Sequence, residues 1–149
     1  VPFSSQTVPG TEFFSALEVP AHFQGQLISP SDSNWSLVFP AAPGGSPEDL
    51  TLQQGSTLYR ARQVQRAGTR PEQLAALQAE VQEQGRLVGQ RSYTVEGLPM
   101  QQYAVRTSQG GSIHHRIIWL KADQLLWLTA SEVDSNGAQR FFTSFRRWN

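Results

Sequence analysis

Cysteine is absent from the 149-residue chain, which removes disulfides, thiolate nucleophiles and cysteine-based zinc sites together and leaves the redox compartment open. No apolar run approaches the ~20 residues of a membrane-spanning helix. The longest candidate, residues 117–120, resumes only at 125–128, so no integral membrane span is expected. Charge of one sign is lacking too: twelve basic and twelve acidic residues cancel. With no net field to draw in a polyanion, nucleic acid is not an expected partner. Phosphate-binding glycine loops are missing, as are a G-x-S-x-G elbow and any H-x-H or H-E-x-x-H spacing, and with them the local signatures of nucleotide, hydrolase and zinc chemistry. The expectation is a protein that is not an enzyme and carries no cofactor.

What is present reads as one α/β domain. A chain of this length buries about 68–70% of the surface its unfolded form exposes, enough for a core without staples. Residues 1–20 mix Ser, Thr, Pro and Gly with three phenylalanines and keep no period, so they read as a tether or docking segment ahead of a single domain over 21–149. Phe13, Phe14 and Leu17 fall at helical spacing within it. Residue 1 is a valine, and together with this composition it gives the expectation of an exported protein, periplasmic, surface-tethered or secreted, after removal of an upstream segment.

Residues 22–29 read as a first strand and 35–39 as a second, joined by a turn over 30–34. Residues 41–55 are rich in Gly, Pro and small polar residues and are expected to be a loop, with one helical turn over 46–49. Residues 56–65 alternate, placing Tyr59, Ala61, Gln63 and Gln65 on one face and Leu58, Arg60, Arg62 and Val64 on the other. Neither face is cleanly apolar, so an edge strand is expected. Thr69 followed three residues later by Glu72 makes a capping box for a helix over 70–84, with Pro71 in its first turn and Gly85 at its stop. Leu74, Leu77 and Val81 form its apolar stripe.

Four strands follow, over 88–96, 100–107, 112–121 and 125–131, separated by hairpin-sized gaps. A two-residue turn at Ala122-Asp123 would set Trp119 opposite Leu126 and Ile118 opposite Trp127. That register puts His115, Ile117, Trp119, Leu126, Leu128 and Ala130 on one face, and Arg116, Ile118, Leu120, Leu125, Trp127 and Thr129 on the other. Both faces are apolar, so the hairpin is expected to be central and covered on both sides. Asp134 or Ser135 can cap a last helix with Ala138, Phe141, Phe142 and Phe145 facing the sheet and Arg146 and Arg147 at its C-terminal end. The fold class is therefore an α/β/α sandwich with a mainly antiparallel central sheet.

Three segments carry a family resemblance. DSNWSLVFPAAP over 32–43, VEGLPMQQYAV over 95–105, and RIIWLKADQLLWL with AQRFFTSFRRW toward the C-terminus resemble, in order and spacing, bacterial members of the PsbP-like superfamily. That fold is shared by the photosystem II extrinsic protein PsbP and a small Ran-binding nuclear import factor. The resemblance spans most of residues 22–148 and implies a non-enzymatic module that binds a protein partner. It names no ligand.

Residue by residue, little else suggests chemistry. His114 and His115 are neighbours in a strand, point to opposite faces and do not chelate one ion, so no metal site is expected. Glu132 and Asp134 lie two apart and read as helix-capping residues rather than an acid–base pair. Asn34-Trp35-Ser36 matches the glycosylation acceptor pattern at a strand start. Two constellations are candidate binding residues. Arg60, Arg62 and Arg66, joined by Arg70, line one strand and its exit, where guanidinium forks can grip carboxylate or phosphate. Of Trp35, Trp119, Trp127 and Trp148, the last is expected to be exposed and available to a partner. The competing expectation is a small-ligand carrier, or an enzyme without a motif, whose pocket lies between sheet and helix.

Overall fold

The computed structural model describes residues 25–31, 33–131 and 135–148. The segment 1–20, residues 22–24 of the expected first strand, and the pair Glu132 and Asp134 lie outside the described residues. A hairpin of β1 (Gln26–Ile28) and β2 (Trp35–Phe39) comes first, followed by β3 (Gly44–Ser46), β4 (Asp49–Gln54) and β5 (Thr57–Gln65). After α1 (Arg70–Gln82) come β6 (Arg86–Val95), β7 (Leu98–Arg106), β8 (Ser112–Lys121) and β9 (Gln124–Ser131), then α2 (Ser135–Thr143) and a short β10 (Arg146–Arg147). Strands β3 to β9 form a seven-stranded sheet in the order β3-β4-β5-β9-β8-β7-β6, antiparallel at every pairing.

Each face of this sheet is covered, as the two-sided apolar pattern predicts. On one face α1 packs Leu77 and Val81 against Tyr103, Val105, Ile117, Trp119, Leu125 and Trp127. On the other, Phe141, Phe142 and Phe145 meet Tyr59, Ala61, Ile118, Leu126 and Leu128. The second cover is more than a helix. The three-stranded sheet β1-β2-β10 flanks α2 there, and every residue of β2 is buried. Trp35, Leu37 and Phe39 join the phenylalanine core, with Phe141 centred 5.1 Å from both Phe39 and Tyr59 in edge-on geometry, an arrangement aromatic quadrupoles favour.

Several expectations give way. Residues 41–55 are not a loop: β3 and β4 lie there, joined at Pro47-Glu48, with Ser46 paired to Asp49. Local composition hid them because β3 is Gly-Gly-Ser and is exposed throughout. In consequence β5 is not an edge strand; it is paired on both sides, by β4 and by β9. The turn between β6 and β7 is Glu96-Gly97, since Val95 pairs with Leu98. Both turn residues have positive φ, 50° and 79°, the signature of a type I′ hairpin turn, so Leu98 and Pro99 belong to the strand. Arg146 and Arg147 form β10 beside β2 rather than closing α2 as helical residues, though Arg146 Nη1 still donates to the carbonyl of Thr143 at 2.7 Å.

The register of the β8–β9 hairpin is the correction with most consequence. Lys121 pairs with Gln124 across the expected Ala122-Asp123 turn, but a bulge at Leu120 then offsets the ladder. Trp119 pairs with Leu125, Ile118 with Leu126 and Ile117 with Trp127. A one-residue slip moves a whole strand's side chains to the other face relative to its neighbour. Trp119 and Trp127 therefore share the α1 face instead of lying on opposite faces, and Leu126, Leu128 and Ala130 join Ile118 and Leu120 under α2.

Helix α1 begins as its capping box predicts: Glu72 N–H donates to Thr69 Oγ1, and Thr69 N–H donates to Glu72 Oε1 at 2.8 Å. Thr69→Ala should cost about 1 kcal/mol in urea unfolding, and a neutral result would mean Glu72 alone caps the helix. Its buried stripe is Gln73, Leu77 and Val81, with Leu74 only half-buried. Gln73 belongs there because each of its polar atoms is met. Its Nε2 donates to the carbonyls of Arg66 and Ala122, and its Oε1 accepts from Trp119 Nε1–H at 2.8 Å. At the exit of the helix, a Cβ on Gly85 would overlap the carbonyl of Arg106.

Candidate functional site

The arginines singled out from the sequence lie together on the α1 side of β5, but each is engaged. Arg60 donates from Nε and Nη2 to the two carboxylate oxygens of Asp49 at 2.8 and 2.7 Å. That fork holds the Asp49 carboxyl below the usual carboxylate range. Arg66 pairs with Glu80 on α1, Nη1 to Oε2 at 2.6 Å and Nη2 to Oε1 at 3.0 Å. Arg62 lies over the Trp127 ring at 4.3 Å and Arg70 over Trp119 at 4.4 Å, in the stacked cation–π geometry that guanidinium adopts. Burial disfavours the charge on Arg62, and its Nε has no hydrogen-bond partner among the described residues. The set stitches β4, β5 and α1 together.

Beneath it, His115 is a buried connector rather than a ligand. Its Nδ1 accepts from Trp127 Nε1–H at 2.9 Å and is 3.2 Å from Thr129 Oγ1, while its Nε2 faces Gln84 Oε1 at 2.7 Å. A neutral ring protonated at Nε2 satisfies all of these contacts. Burial, reinforced by the charge of Arg62, pushes its pKa down to about 4. His114 points to the other face, and burial lowers it as well. Among the described residues no three His, Asp or Glu side chains gather as a metal site would require.

Trp148 is 43% exposed, as expected, with its backbone N–H donating to the Asn34 carbonyl at 2.9 Å. Beside it Arg147 donates from Nε and Nη2 to the carbonyl of Glu96 at 3.2 and 3.0 Å, tying β10 to the β6–β7 turn.

The surface that sequence reasoning missed is β6. Among the described residues this ten-residue strand pairs only with β7 and ends the large sheet. Eight of its ten residues are exposed, and only Leu87 and Val95 are half-buried. Next to it, α1 stands far enough from β7 to leave an open cleft of about 300 Å³ lined by Leu74, Gln78, Gln90, Arg91, Ser92, Gln101 and Tyr103. The cleft floor is closed by a short hydrogen bond from Ser92 Oγ to Gln101 Oε1. On the opposite face of the strand Tyr93 is 44% exposed, and its hydroxyl accepts from Arg116 Nη2 at 3.1 Å. The missed signal is compositional: RLVGQRSYTV is the least apolar of the four consecutive strands, as expected of an edge.

A free edge beside a shallow cleft, with the arginines and the histidine used in packing, leaves an α/β sandwich with an antiparallel central sheet whose most available feature is backbone. The solution structure of cyanobacterial PsbP (CyanoP) from Synechocystis sp. PCC 6803 is similar to this chain, with a TM-score of 0.63 at 11% identity over 85% of this chain and 94% of that one. At that identity the likeness concerns the fold. No protein-family model matches the sequence, and no curated protein matches it either. No described helix is long and apolar enough to cross a membrane.

Proposed function

We propose that the protein is a non-catalytic binding module that docks a protein partner along the free edge of β6. The observation that carries this reading is that edge: ten residues of strand with one row of backbone donors and acceptors facing β7 and the other row without a partner strand among the described residues. An extended segment can add to such an edge, taking affinity from main-chain hydrogen bonds and selectivity from alternate side-chain positions. Arg60, Arg62 and Arg66 act in this reading as packing residues, and Trp148 lies on the rim at the far end of the turn that Arg147 holds. Export remains part of the proposal, resting on the Ser/Thr/Pro/Gly-rich composition of residues 1–20; recovery of the full chain from the cytoplasmic fraction of the cells that make it would overturn that part.

The test is site-directed photocrosslinking in those cells. A photoreactive side chain at Gln90 should give a discrete adduct with a second polypeptide, and the same group at Gln53 on β4 should give none. Adducts from Gln53 alone, or from neither position, reject the edge as the docking site.

One observation favours a second reading, a small-ligand carrier. The cleft between α1 and β7 lies at the lower bound of ligand-pocket volumes, roughly 300–1,000 Å³, and its walls combine Leu74 and Tyr103 with amides. Saturable small-molecule binding abolished by Gln78→Trp, with no polypeptide adduct from Gln90, would favour the carrier.

A further inference from the structure

We infer that the occupant of the β6 edge is an acidic extended segment of another protein, a conclusion that rests on the docking reading above. The chain as a whole is neutral, but the fold divides its charge. Between residues 84 and 122 stand Arg86, Arg91, Arg106, Arg116 and Lys121 against a single acidic residue, Glu96, and Glu96 sits in a turn. The β6, β7 and β8 strands themselves contain no carboxylate. The basic residues at this edge are all arginines, whose planar forks match carboxylates in pairs.

The backbone of β6 aligns those arginines. In a regular strand, residues five apart point to opposite faces. The ladder between β6 and β7 shifts between Leu87 and Gly89, so Arg86 pairs with Arg106 and Arg91 with Gln102. Arg106 and Gln102 are four apart on β7, which brings Arg86 and Arg91 to the same face, with Tyr93 next in the row. Arg86 directly opposite Arg106 is a like-charge cross-strand pair, an arrangement that works against hairpin stability. Arg86, Arg91 and Arg106 make no ion pair with any described residue.

A bulge and charges on an edge strand also guard against indiscriminate pairing. Here the guard is selective by sign. A second copy presenting its own β6 would set arginine rows against each other, and a basic strand would be repelled in the same way. A strand with Asp or Glu at alternate positions would place two carboxylates, four residues apart, opposite Arg86 and Arg91 while its main chain completes the sheet.

The probe is the peptide acetyl-(Glu-Thr)5-amide, titrated into the full chain labelled with ¹⁵N, with acetyl-(Lys-Thr)5-amide as its counterpart. The acidic peptide should shift β6 amides and bind at least about 10-fold more tightly than the basic one, weakening as salt screens the pair. Arg86→Glu with Arg91→Glu, both at exposed positions, should invert the preference, and Arg86→Lys with Arg91→Lys should retain most of it. Equal affinity of the two peptides at β6 overturns the acidic occupant and leaves edge docking standing. Shifts confined to the α1 cleft or the Trp148 rim, or a concentration-dependent dimer through β6, overturn both, as does the absence of any β6 shift with either peptide.

Discussion

Replacing Trp127 by alanine is expected to cost about 3–5 kcal/mol of unfolding free energy, and Trp119→Ala a similar amount, because each removes a large buried ring from a closed layer. Each ring is 2% exposed. Each also carries a polar obligation: losing Trp127 leaves His115 Nδ1 with Thr129 alone, and losing Trp119 strands the buried Oε1 of Gln73. Trp148→Ala should cost far less, since Trp148 is 43% exposed and lies outside both core clusters. Because the bulge at Leu120 puts Trp119 and Trp127 in one layer with Ile117 and Leu125, the double variant should be non-additive, with a coupling of about 0.5–3 kcal/mol. Denaturant unfolding of the two single variants and the double variant checks this. Strict additivity would return the two rings to opposite faces and reject the register described above.

The second large effect is in pH. His115 is neutral in the fold with its pKa pushed down to about 4, mainly by burial and then by Arg62 and His114, against about 6.5 when unfolded. As pH falls below about 6.5 the unfolded chain takes up a proton that the native protein does not, so stability present at neutral pH is lost progressively until about pH 4. The loss over that window should be about 3 kcal/mol, converting the shift at 1.36 kcal/mol per pH unit. His114, also lowered by burial, acts in the same direction. Asp49 and Glu72 have carboxyls held below their usual range, so their contribution is lost only from about pH 5 downward and leaves the upper part of the window to the histidines. The His115 imidazole resonances should stay fixed from about pH 8 to about pH 5 in the folded protein. A ring that titrates near 6.5 would mean the connection to Trp127 and Gln84 opens readily.

Much of this fold is legible in the sequence, and the legible parts share a cause. Signals confined to a few adjacent residues survive folding unchanged. The Thr69–Glu72 box starts α1 where the pattern places it, and the Ala122-Asp123 turn closes the hairpin it was assigned. The alternation of large apolar side chains on both faces of β8 and β9 correctly demands two covering layers. The phenylalanines of α2 all reach the core.

The candidate site was far less legible. Arg60, Arg62, Arg66 and Arg70 read as a ligand-gripping row because one strand brings them together, but their partners Asp49, Glu80, Trp127 and Trp119 come from four other places in the chain. Gln73 stands outside the apolar stripe read in α1, and only the fold brings the turn carbonyl of Ala122 beside it.

The sequence by itself determined which segments are strand or helix over most of the described chain, where the main turns fall and that the sheet has no wet central face, because propensity, capping and periodicity act over a few residues. Tertiary structure alone decided which strand is the edge, which face holds Trp127, and where the basic residues collect. Strand neighbours are separated by about seventy residues for β5 and β9 and by about 110 for β2 and β10, and a single unpaired residue at Leu120 reverses a face without altering composition. The edge on β6 is therefore a property of pairing order, and pairing order is set by the packing energy of the whole sheet.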